Sequence, residues 1–140
     1  MRTIPSSELI INDDGSIFHL HLRPEQLADT VILVGDPGRV ELVASFFDTR
    51  ECNVSNRELN IDISVTELDA LANVDFETRQ VKPELRRLTL LRLGTSGAIQ
   101  PDIKVGEAVF SRMSIGFDGL LNYYKGRNEV CNLEYEQEFM

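Results

Sequence analysis

Thr30-Val31-Ile32-Leu33-Val34-Gly35-Asp36-Pro37-Gly38-Arg39 is the stretch on which the fold turns. Its first five residues are apolar or β-branched without a break, the pattern of a strand buried on both faces in a parallel or mixed sheet. The strand halts at Gly35. Beyond it Val40, Val43, Ala44 and Phe47 recur at i, i+3, i+4 and i+7, which predicts a helix. Asp36 is the expected N-cap, with Pro37 in the first-turn position that proline favours. A strand running through glycine into a helix is a unit of an α/β fold.

A second run of the same kind lies further along, Leu88-Thr89-Leu90-Leu91-Arg92-Leu93, and it too ends in glycine, at Gly94-Thr95-Ser96-Gly97. Between the two runs, residues 62–73 carry a helical period, with Ile61, Val65, Leu68 and Ala72 on one face. Asp75–Arg87 reads as a charged connection. Val105–Phe110 reads as a third strand, and the Glu-rich stretch from Asn128 as the start of a helix. Upstream, residues 1–16 are polar, with an Asp13-Asp14-Gly15 turn signal, and read as an arm or edge rather than core. Ser16–Leu22 alternates like a short extended piece, and Arg23–Asp29 has room for one helical turn behind Pro24. Ligands on sheets of this type lie at the carboxyl ends of the strands, where both glycine loops fall.

At 140 residues, 42% hydrophobic and 26% charged, the chain has the length and composition of a single globular domain. A formal net charge of −9 argues against nucleic acid or an anionic membrane as partner. Cys52 and Cys131 are far apart and outside any CxxC spacing, so free thiols are expected. No stretch has the length of a signal peptide or a membrane span, and the expected location is the cytoplasm.

The chemistry is concentrated in the two loops. Gly35 permits a ligand to approach the backbone, and Arg39 adds a planar fork of donors that matches phosphate oxygens. Read alone, Asp-Pro-Gly is also a common tight turn beside a solvated arginine. Arg92 interrupts an apolar strand, where a charge is costly unless paired, and Gly94 and Thr95 follow with backbone and hydroxyl donors. Its plain alternative is an arginine facing solvent on an edge strand. Neither loop has the GxxxxGK[ST] or GxGxxG pattern. No His/Cys/Asp cluster has metal-ligand spacing, so no catalytic transition metal and no cofactor is called for. With no GxSxG elbow or nucleophile–base pair, an enzyme built on these loops is expected to take its nucleophile from the substrate. His19, among apolar neighbours, is open to a structural or a ligand-contacting role.

Val34–Arg39 and Leu91–Pro101 together resemble, in order, the two phosphate-binding signatures of the nucleoside phosphorylase family, of uridine phosphorylase type. Phe18-His19-Leu20 resembles the family's N-terminal segment, whose histidine reaches the ribose of a neighbouring subunit. Ser55-Asn56-Arg57-Glu58 resembles the stretch whose arginine contacts phosphate across a dimer. Thr95, where the hexameric purine enzymes tend to carry serine, tilts the resemblance toward the uridine side. The resemblance implies a twisted mixed sheet flanked by helices. It also implies reversible phosphorolysis of a nucleoside to free base and ribose 1-phosphate, with inorganic phosphate as co-substrate. Phosphate would be held by Gly35, Arg39, Arg92, Gly94 and Thr95, with Arg57 contributed to a partner subunit. Ribose would be held by Thr95 and a partner's site by His19. A homo-oligomer built on a dimer follows from those shared residues.

The sequence departs from the family's pattern in two places. Only Leu59 and Asn60 separate Glu58 from the helix near Ile61, where the family has a β-hairpin and a Thr-Gly-x-Gly turn. The Met-Glu pair for the ribose hydroxyls and the Gln-x-Arg motif for the base do not occur in these 140 residues. The expectation is a partial domain, inactive by itself, carrying the phosphate half of a site. A nucleosidase of the same fold and a non-catalytic anion-binding or assembly fragment are the competing readings.

Overall fold

The computed structural model describes residues 3–49 and 60–113. The chain divides into two units, Met1–Ser96 and Gly97–Met140. In the first, a 3-10 turn at Pro24–Gln26 leads into β1 (Thr30–Val34) and α1 (Gly38–Ala44). Then come α2 (Ile61–Asn73), β2 (Val74–Asp75), β3 (Gln80–Val81) and β4 (Thr89–Leu93). Strands β1 and β4 pair in parallel, Thr30 opposite Thr89 through Val34 opposite Leu93. Strands β2 and β3 form an antiparallel hairpin. Parallel and antiparallel pairs with intervening helices make this an α/β fold, as the two glycine-terminated runs required.

The register of the parallel pair is fixed just before the strands begin. The Thr89 N–H donates to the Asp29 carbonyl at 2.8 Å. Arg86 bonds Asp29 Oδ1 through Nε at 2.6 Å, donates to the Leu27 carbonyl through Nη2, and gives its backbone N–H to Asn73 Oδ1 at 2.8 Å. One arginine therefore ties the end of α2 and the approach to β1 to the approach to β4. With the starts aligned, both strands run out of residues at the same level, and Gly35 and Gly94 follow side by side in the chain order.

The core lies on one side of this pair. Leu68, Ala70, Leu71 and Ala72 of α2 are buried with Val74, Leu27, Ile17 and Leu9, and Val31, Leu33 and Leu88 pack against them. The N-terminal segment is thus part of the core rather than an arm. A turn closes it: Ser16 gives its N–H and hydroxyl to Asp14 Oδ1 at 3.0 and 2.6 Å, and Ile17, wholly buried, is pinned behind it. The Ser16 bonds hold the Asp14 carboxyl below its ordinary value. Asp75 plays the same part in the β2–β3 turn, accepting the N–H groups of Thr78 and Glu77 at 2.7 and 3.0 Å, and the Thr78 bonds lower its pKa.

Several sequence expectations are corrected. Strands β1 and β4 lie where the apolar runs put them, yet they are not buried on both faces. Leu90, Leu91 and Leu93 are each at least 40% exposed, because β4 has one neighbour and no covering layer among the described residues. Helix α2 buries its C-terminal half, while Ile61 and Val65 of the predicted face stay exposed. Helix α1 starts after Pro37, and Asp36 acts one position earlier by accepting the Gly38 N–H at 2.9 Å. It ends at Ala44, which leaves Phe47 outside the helix and exposed. The charged connection contains the β2–β3 hairpin. In the second unit, 105–110 is not a strand: Gly106 turns with φ +85°, the Glu107 N–H bonds the Lys104 carbonyl, and Val109 and Phe110 are exposed. The helix expected from Asn128 lies outside the described residues, as do Cys52 and Cys131. No helix among the described residues is long and apolar enough to cross a membrane.

Candidate functional site

Parallel pairing delivers the two glycine loops to one end of the β1–β4 sheet. Leu33 is opposite Arg92 and Val34 opposite Leu93, so the next residues outward are Gly35 and Gly94. The Arg92 guanidinium folds over that end. A Cβ placed on Gly94 would stand 3.2 Å from Nη1, and one placed on Gly35 would stand 4.0 Å from Nη2. Gly94 makes room for the guanidinium by lacking that atom, whereas at Gly35 the distance is an ordinary contact. Arg92 is exposed, so the expectation of a charge trapped in a buried strand does not hold. Its placement is nevertheless that of a donor fork at a strand end, turned onto backbone.

Arg39 reaches the same end from α1. Its Nη2 bonds Thr95 Oγ1 at 3.5 Å, a long contact across a sequence separation of 56 residues. Asp36 Oδ2 lies 3.9 Å from Arg39 Nε and Asp36 Oδ1 holds the Gly38 N–H. The carboxylate shapes the turn while only loosely occupying the arginine, whose side chain is 37% exposed. Gly35, Arg39, Arg92, Gly94 and Thr95 are therefore gathered at one place. Two guanidinium forks, a hydroxyl and two glycine backbones are a donor set suited to an oxyanion with several oxygens. Arg57 lies outside the described residues.

His19 is placed elsewhere in the same unit. It lines a groove of about 560 Å³ whose walls include Phe18, Glu67, Leu9, Ala70 and Val81, and which contains neither Arg39 nor Arg92. Its Nδ1 lies 2.6 Å from Glu67 Oε1. The Glu67 carboxylate also accepts the backbone N–H groups of His19, at 3.1 and 3.2 Å, and of Leu20, at 2.8 Å. Sequence reasoning passed over Glu67, because nothing local marks a glutamate 48 residues from the histidine it holds. The one available signal was an acidic side chain flanked by Leu68 on a helix whose neighbouring turn is core. Among the described residues no three His, Cys, Asp or Glu side chains group as a metal-ion site.

Proteins of known type share this arrangement of sequence. No protein-family model matches the chain. A uridine phosphorylase of Salmonella typhimurium is 37% identical over 117 residues, covering 75% of this chain and 46% of that protein. One from Haemophilus influenzae is 32% identical over 120 residues, covering 79% and 48%. Among solved structures, a Trypanosoma brucei nucleoside phosphorylase described as showing uridine phosphorylase activity superposes with a TM-score of 0.59. It is 27% identical, and the match covers 69% of this chain and 41% of that one. In fold and sequence, the chain is similar to nucleoside phosphorylases over about three quarters of its length. Both of those curated relatives are uridine phosphorylases, and a guanosine phosphorylase of Halorubrum lacusprofundi is 30% identical over 115 residues, covering 76% of this chain and 48% of that protein. The chain spans about half the length of the curated relatives it matches.

Proposed function

We propose that the protein is a nucleoside phosphorylase of uridine type, and that these residues supply the phosphate half of its site. The observation that carries the reading is the meeting of Arg39, Thr95 and Arg92 around Gly35 and Gly94 at the carboxyl end of a parallel strand pair. In phosphorolysis, inorganic phosphate attacks C1′ of the ribose, the C1′–N bond breaks, and the base departs with the bonding pair and takes up a proton. Phosphate is itself the nucleophile. The protein's task is to fix it beneath C1′ and to balance its charge as the sugar becomes cationic.

The residues divide that task. Arg39 and Arg92 clamp phosphate oxygens as forks, and Gly35 and Gly94 offer backbone N–H groups. Thr95, already within reach of Arg39, bridges phosphate and ribose. Arg57 and His19 serve the site of a second subunit, in a homo-oligomer built on a dimer. A nucleosidase, which activates water, has no need of two arginines at this point, and their presence favours the phosphorylase. The test is phosphate-dependent release of uracil from uridine by a longer protein that joins this chain to the C-terminal half of a uridine phosphorylase. Release that requires phosphate and falls sharply in Arg92→Ala supports the reading. Release that proceeds equally without phosphate replaces it with the nucleosidase.

A further inference from the structure

We propose that Glu67 is a positioning residue for His19, fixing its proton on Nδ1 and turning Nε2 toward whatever enters the groove. The inference rests on the reading that His19 contacts a hydroxylated sugar, and it adds the residue through which that contact is prepared. One carboxylate takes three different donors from two consecutive residues: the His19 N–H, the Leu20 N–H and His19 Nδ1. Helix α2 supplies that carboxylate from within the core layer, and its side chain is 12% exposed against 36% for His19. The acid is thus sheltered while the imidazole remains accessible.

An ionised carboxylate accepts and cannot donate, so the 2.6 Å contact is made by an Nδ1–H. In the neutral ring this leaves Nε2 as an acceptor, and in the charged ring Nε2 donates; a sugar hydroxyl can meet either state. The ring is steadied on a second side by Phe18, edge-on with centroids 4.8 Å apart. The loop beneath it is closed by the His21 N–H to the Ile17 carbonyl at 3.0 Å and the Ile17 N–H to the Leu22 carbonyl at 2.9 Å. The left-handed φ of +51° at His21 completes that turn.

The surroundings of the imidazole edge are of a different kind from those of the two arginines. Glu8, Glu67 and Asp69 line the groove, with no lysine or arginine among its described lining residues. The described lining is acidic and apolar, in contrast to the arginine-lined end of β1 and β4. Phosphate and sugar contacts are in this way separated between two places on one chain.

The test reads the ring itself. Nitrogen-15 spectra of the imidazoles, recorded above the usual histidine titration range, distinguish the two tautomers, and with two histidines in the chain His19→Gln assigns the signals. The expected result is an Nδ1–H ring at His19 in the unaltered protein and a predominantly Nε2–H ring in Glu67→Ala, with Glu67→Gln between. A His19 ring in the Nε2–H form in the unaltered protein overturns the proposal without any variant having to fold. So does an unchanged tautomer in Glu67→Gln and Glu67→Ala. Titration with uridine, run on the longer protein that joins this chain to the C-terminal half of a uridine phosphorylase, separates the two readings. A shift at His19 Nε2 supports the sugar contact, whereas an Nδ1–H ring that uridine leaves unmoved retains the positioning role and removes the ribose role.

Discussion

Replacing Gly94 by alanine should weaken phosphate binding through Arg92 without removing a single donor. The added Cβ would stand 3.2 Å from Arg92 Nη1, 3.7 Å from Cζ and 3.9 Å from Nη2. The first contact is too close, and the guanidinium must retreat by a few tenths of an ångström. The head of an exposed arginine can do so cheaply, so the fold should hold and the cost should fall on the anion. A charge-assisted hydrogen bond contributes about 1.5–3 kcal/mol, and about 1.4 kcal/mol is tenfold in affinity. Arg92 is exposed, which places its contribution at the low end through solvent screening. Arg92→Ala should therefore raise the phosphate Kd by roughly tenfold. Gly94→Ala should raise it by about two- to fivefold, since misaligned bonds near 3 Å weaken rather than vanish. Arg92→Lys, which keeps the charge and loses the fork, should fall between the two substitutions or near Arg92→Ala. At Gly35 the Cβ would meet Nη2 at an ordinary 4.0 Å, so a loss in Gly35→Ala reports the anion's approach to the backbone. Calorimetric titration with inorganic phosphate at low ionic strength measures all four. Unchanged affinity in both Arg92→Ala and Gly94→Ala would refute the clamp.

Further outcomes follow from other parts of the molecule. Leu71→Ala, at a side chain that is 1% exposed, should cost about 2–5 kcal/mol of stability, read from denaturant unfolding. Asp14 and Asp75 have pKa values held below 3.8 in the folded chain, so both favour folding above the ordinary carboxylate range. That contribution disappears as pH falls through their lowered values, because the unfolded chain takes up those protons first. Asp75→Asn should flatten the acid limb of a stability–pH curve, and an unaltered limb would count against the Asp75 turn. The exposed Leu90, Leu91, Leu93 and Phe47 should drive self-association, reduced in Leu91→Lys when measured by sedimentation. Assayed by themselves, the 140 residues should release no measurable uracil from uridine. They lack the Met-Glu and Gln-x-Arg motifs that position ribose and stabilise the departing base, and turnover abolished by Arg92→Ala would show that other residues do this work.

The sequence by itself determined where β1 and β4 lie, that they are strands of a parallel or mixed sheet in an α/β fold, and that each runs into a glycine loop with an arginine close by; that the two pair in parallel came from the structure. Those features are local: continuous apolar runs, glycine at the stop, and a short helix signal after Asp36-Pro37-Gly38. The sequence also offered Gly35, Arg39, Arg92, Gly94 and Thr95 as a candidate donor set, from the residue types in each loop together with the family resemblance. Burial was another matter. An apolar run states what a strand could bury, but the covering layer comes from other parts of the chain, and Leu90, Leu91 and Leu93 remain exposed for want of one. The N-terminal segment looked polar, yet Leu9 and Ile17 are buried with Ile4 and Ile11 packed against the core, and that burial depends on where α2 stands. Tertiary structure alone joined Arg39 to Thr95, folded Arg92 over Gly94, and brought Glu67 to His19. The Arg39–Thr95 and Glu67–His19 contacts span 56 and 48 residues, and their partners are chosen by strand register and helix placement, which no local pattern encodes.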